Sequence, residues 1–253
     1  MSSPAVYRSP RTTATVATVL LAVTMAVSVL AVVADLLLFG SADEISPNSL
    51  TTADWMVALS GLLQVLALIA TAAAFITWFH RVRVNAEVFD PMGHRRTRGW
   101  AIGAWFTPVV CLWFPREIAV DIWQAGARRD ASGARVPQPL GVLNTWWITF
   151  WLANATGRIG GNIFDSAAYA DSYRTAALWL LASDVLDLVA AAFAIAVVQK
   201  LSATQEERFA ELAAAHPYGP GFPGTPGFPY APAAPGFPGA PSAPAAPGAP
   251  AGS

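Results

Sequence analysis

Two carboxylates three residues apart, Asp184 and Asp187, stand near the middle of an otherwise apolar run from Thr175 to Val198. On a helix that spacing puts both on one face. If the run crosses a bilayer, each acid costs roughly 2.5–3.5 kcal/mol to insert near mid-span. Two like charges this close repel unless one is protonated or a cation sits between them. That is the chemistry of a proton or cation site. The same groups could instead hold a bundle together by hydrogen bonding to Arg, Trp N–H or hydroxyl groups. A third acid, Asp35, interrupts the run from Ala14 to Phe39 close to its end and reads as an interfacial residue.

The second chemical cluster is basic: Arg81, Arg83, Arg95, Arg96, Arg98, Arg116, Arg128 and Arg129. As a rim at a membrane surface it could hold anionic lipid head groups, at about 1 kcal/mol per contact. The plainer reading is that these arginines mark the cytoplasmic side. His80, His94 and His216 have no ligand-like spacing. The single cysteine, Cys111, excludes an intrachain disulfide and a multi-cysteine metal site. No nucleotide-binding fingerprint, HExxH or GxSxG is present, and no nucleophile–base pair can be assembled. The chain reads as a non-enzyme without a cofactor. A net charge of -1 offers no field for nucleic acid.

The elements that must position these residues are membrane helices. The chain has 253 residues, 55% apolar and 12% charged, about half the charge usual in a soluble domain. Residues 1–13 form a short basic N-terminal segment. Four spans are expected, at about 14–39, 55–79, 140–157 and 175–198, within a transmembrane domain covering 14–216. The first is much longer than the roughly 7–15 residues of a secretory apolar region, so it reads as a retained span. Trp55 and Trp78 mark the ends of the second as interfacial anchors. The acidic loop 40–54 then lies outside, and the arginine-rich loop 80–99 inside. This places both termini in the cytoplasm of a multi-pass cell-membrane protein.

Between the second and third of these spans, residues 100–114 are apolar but reach only about 22 Å as a helix, short of the ~30 Å hydrocarbon core. Pro108 interrupts them. A true span would carry the following arginines outside, against the charge rule. A broken or re-entrant segment keeps them inside, so the two readings are four spans plus an interruption, or five spans. Residues 116–129 form an amphipathic helix, with Ile118, Ala119, Ile122 and Trp123 on one face. It could lie on the bilayer surface or pack on the bundle's own loops. A second polar helix covers 199–215. Residues 217–253, rich in Pro, Gly and Ala and without charge, form a disordered tail that could engage a proline-recognising partner.

The order of these motifs resembles the DUF4328 family of bacterial membrane proteins, over roughly residues 50–210. The segments that carry the resemblance are TWFHRVRVNA (77–86), GWAIGAWFTPVVCLWFPREIAVDIW (99–123), the Trp146-Trp147 pair and VVQKLSATQEER (197–208). Its framework residues are Trp100, Trp105, Pro108, Pro115, Glu117 and Trp123. Cys111 and Asp121 depart from the family's usual residues. The resemblance implies an all-α polytopic bundle and no defined activity. The function expected first is therefore a membrane scaffold or regulatory subunit, acting through the basic rim and the tail. The alternative is a small transporter or channel using Asp184 and Asp187.

Overall fold

The computed structural model describes residues 5–44, 52–127, 130, 132, 134 and 136–215. These are helical, with no strand among them. The predicted tail, His216, Arg128 and Arg129 lie outside the described residues.

Helices α1 (Arg11–Gly40), α2 (Thr52–Phe89) and α6 (Ala170–Ala215) are each long and apolar enough to cross a membrane. Their surfaces explain why. Val19, Leu30 and Leu36 on α1, and Leu59, Leu62 and Ile69 on α2, are exposed. In water so broad an apolar belt would aggregate; in hydrocarbon it is the lipid-facing surface.

Three further helices complete the fold: α3 (Trp100–Gly103), α4 (Phe114–Ala125) and α5 (Gly141–Asp165). The 25 residues of α5 reach about 37 Å, enough for a bilayer. It carries Asn144, Asn154, Arg158 and Asn162 and has no stretch as apolar as those of the other three long helices.

The long helices alternate in direction. α1 packs against α2 and α6, and α6 packs against α5, which gives the lateral order α2–α1–α6–α5. The α5–α6 contact depends on small residues. A Cβ on Gly157 would sit 2.7 Å from Ser183 Oγ, and one on Gly160 would sit 2.9 Å from the backbone nitrogen of Leu180. Gly160 is where the two backbones come close, and Gly157 leaves room for the Ser183 side chain.

Residues 100–114 are not one helix. α3 is a single turn, followed by turns and a 3-10 turn at Val110–Leu112. The segment leaves where it arrives, since Trp100 and Phe114 meet edge to face at 5.1 Å. Its bend rests on Pro108. The Val110 N–H donates to the Pro108 carbonyl at 2.7 Å across Val109, whose φ is 65°. This tight three-residue turn is rare and strained, most of all for a β-branched side chain. Trp105 projects inward and meets Phe75, Phe79 and Trp147 at 5.9, 6.0 and 6.2 Å. The segment thus wedges between α2 and α5, which approach each other here through Phe75 and Trp146 at 5.5 Å.

Packing chooses between the two readings of the amphipathic helix and corrects the reading of Trp78. The amphipathic helix covers Phe114–Ala125, and its apolar face is buried in the bundle. Ile118, Ile122 and Trp123 are enclosed with Trp78, Phe79 and Leu201, so that face is not offered to a bilayer surface. Trp78 is not an interfacial anchor: it is fully buried and its indole N–H donates to Ser202 Oγ at 3.0 Å. α2 continues beyond the expected span to Phe89, and α6 runs on through residues 199–215, where a polar helix was expected. The extra turns are held by a buried amide network. Asn85 Nδ2 donates to the Arg8 carbonyl and to Gln205 Oε1, and Gln205 Nε2 donates to the Val82 carbonyl. This network also docks the N-terminal segment, with Tyr7 stacked on Phe209 at 4.0 Å.

Candidate functional site

The wedge of residues 100–125 closes the gap between α2 and α5 at the end of the bundle that holds the first turns of α1 and the last turns of α6. Toward the other end the gap stays open, as a cavity of about 430 Å³ lined by α1, α2, α5 and α6. Its polar lining includes Asp35, Gln64, Asn154, Arg158, Asp184 and Asp187.

The centre of the site is a pair of acids, but not the pair that spacing alone suggests. Asp184 is buried, and Gln64 Nε2 donates to its Oδ1 at 2.6 Å. Its carboxyl partner across the cavity is Asp35 of α1, within hydrogen-bonding reach. Asp187, one helical turn along, is half-buried at the cavity's edge. Asp35 is only 4% exposed. Its Oδ2 is enclosed by protein and has no hydrogen-bond donor. A lone carboxylate near the end of a long apolar run gives no sequence signal of this role. Only the lateral order of helices brings α1 beside α6.

Thr24, Leu68, Phe150 and Asp187 border both this cavity and a smaller one of about 160 Å³. The smaller cavity is walled by apolar side chains and ends on Phe75, Trp105 and Trp146. Two compartments therefore lie in series along the bundle, with Asp187 on their common wall and the Trp105 wedge at the far end.

The described arginines of the predicted basic rim are brought together and engaged by protein groups. Arg83 is 2% exposed; it binds Glu87 at 2.8 Å and donates to the Arg96 carbonyl. Arg98 pairs with the same Glu87 at 2.5 Å. Arg95 binds Asp121 at 2.8 Å, and Arg96 binds Glu117 at 3.1 Å with its guanidinium over the Phe114 ring. Arg116 donates to Asn144 Oδ1 at 2.7 Å, and Arg81 to the Ser9 carbonyl at 3.3 Å. This lattice ties α2, the 90–99 loop, α4 and α5 together. His94 is lodged within it. Burial, with Arg83 close by, holds its imidazole below the ordinary range, against weaker opposing effects of the Ala86 carbonyl, Asp121 and Glu87.

The framework residues fall on this same architecture. Trp100 and Trp105 form the wedge, Pro108 its bend, and Pro115 the first turn of α4, where a missing N–H costs nothing. Glu117 holds Arg96, and Trp123 is the buried centre of α4. A family model described as "Domain of unknown function (DUF4328)" matches residues 42–203. The chain belongs to the DUF4328 family. Among curated proteins and among solved structures, nothing matches it. The DUF4328 region takes in Gln64, the wedge, Asp184 and Asp187. It leaves out α1, and with it Asp35, so the acid pair joins a residue inside the matched region to one outside it.

Proposed function

We propose that this DUF4328 protein is a multi-pass protein of the cell membrane that binds a proton or small cation in its acid-lined cavity and passes it along the bundle. The observation that carries this reading is the meeting of Asp35 and Asp184 inside a cavity between four helices. Two carboxyl groups removed from water are stable together with a proton shared between them or a cation held by both. The serial arrangement of the two cavities, with Asp187 between them, supports movement rather than static binding. The broken segment at the far end is the kind of irregular backbone that membrane proteins keep only beside a cavity or inside protein.

The topology proposed with it has α1, α2, α5 and α6 as four spans and residues 100–114 as a re-entrant segment. The arginine-rich end and both termini then face the cytoplasm, with Asp43 and Asp171 outside. The lipid bilayer is the solvent of the exposed apolar belt. The scaffold reading is favoured by the tail, residues 217–253, which could recruit a proline-binding partner. Its other support is weaker, because the basic rim is engaged in internal pairs.

The deciding measurement is ion flux in proteoliposomes driven by a pH gradient or a membrane potential. Asp184→Asn is expected to reduce flux to the protein-free level while expression and thermal stability hold. Flux equal to that of the parent protein would exclude the acid pair from transport and return the chain to the scaffold reading.

A further inference from the structure

The proposed cation site is larger and more apolar than a bare ion needs. A cavity of about 430 Å³ lies within the range of small-molecule sites, roughly 300–1,000 Å³, and a water in the liquid occupies only ~30 Å³. Ala31, Val57, Val65, Leu68, Phe150 and Leu180 supply apolar wall around the acids. The acids themselves are asymmetric. Asp184 is already oriented by Gln64, whereas Asp35 Oδ2 is enclosed and lacks a donor. The lining carries three acids against one cation, Arg158, so it is net acidic and favours a cationic guest that brings N–H donors.

We propose that the cavity is a binding site for a small organic ammonium, an amine with a short apolar body. Its N–H groups donate to the Asp35 and Asp184 carboxyl groups, while its body lies against Phe150, Leu68 and Leu180. Asp187 at the edge provides a second acid on the way to the inner cavity. Among the described residues no group of three or more metal-ligating side chains converges, so the charge and donor pattern suits an ammonium better than a divalent ion. This inference rests on the cavity being the working site, and it goes further in naming the class of ligand.

The test is equilibrium binding to the purified full-length protein in nanodiscs, by calorimetry. The probes are butylammonium and benzylammonium, with butanol and benzyl alcohol as uncharged counterparts and sodium chloride as the bare-ion control. The ammonium probes are expected to bind at least about tenfold more tightly than the alcohols, as expected for a charged hydrogen bond. Asp35→Asn should abolish that preference. Val65→Trp, which narrows the cavity at an exposed wall residue, should weaken the ammonium probes by a similar factor if Asp35→Asn does not fold. Alcohols binding as tightly as amines would overturn the proposal, as would unchanged amine binding in the folded variants. Saturable binding of sodium or protons without amine binding would also overturn it, while leaving the transport reading standing. Loss of inorganic flux with amine binding intact would do the reverse.

Discussion

Asp35 and His94 show how differently a single polar residue is used at the two ends of this bundle. Asp35 lines a cavity together with a second buried acid, Asp184. His94 sits inside an arginine–carboxylate lattice, with burial and Arg83 favouring its neutral form. The consequence for stability follows from linkage. The folded-state pKa of His94 lies below the ordinary value of about 6.5, so between the two values the unfolded chain binds more protons. Stability is therefore retained above about pH 6.5 and decreases as pH falls from there toward the folded-state pKa. Melting temperatures measured at pH 7.5 and 5.5 in micelles should differ for the parent protein, and the gap should narrow in His94→Gln. An unchanged gap would assign the pH dependence to other groups. Arg83 and its partners were visible in the sequence as charge. That they hold one another, rather than lipid, followed from α2 continuing to Phe89.

At the level of elements, two devices shape the molecule. The wedge of residues 100–125 fills the gap between α2 and α5 at one end, and its strained turn at Val109 lets an apolar segment reverse direction in a few residues. The glycine face of α5 does the opposite for α6, bringing two helices into backbone contact. Gly160→Val should force α5 and α6 apart at Leu180 and cost about 1–3 kcal/mol, the usual penalty for overpacking. Thermal unfolding in nanodiscs measures it. A shift no larger than that of Gly161→Val, which meets open space, would show that the close approach is unimportant. The irregularity of residues 100–114 was legible in the sequence, from length and Pro108. The burial of α4 was not: an apolar helical face indicates that something covers it, and leaves open whether that is lipid or protein.

For the whole molecule, the lateral order α2–α1–α6–α5 has the largest consequences. It leaves the outer helices apart, opens the cavity between them, and sets Asp35 against Asp184. It also makes the topology testable through one atom. Cys111 is the only cysteine, half-buried on the 3-10 turn of the wedge. With a re-entrant segment, a membrane-impermeant maleimide should label it from the cytoplasmic side alone. Labelling from the outside alone would mean that residues 100–114 cross, and would move the C-terminus outside.

By itself, the sequence determined that this is a helical membrane protein, where its long apolar helices run, and which segment breaks the pattern. Hydrophobic run length and residue type are local properties, and the bilayer responds to them locally. The meeting of α1 with α6 was decided only by the tertiary structure. Side chains from distant helices share a cavity because of which helices lie side by side, and spacing along one helix cannot report that. Asp187 was the apparent partner of Asp184 in the chain; Asp35, nearly 150 residues away in sequence, is its partner in space.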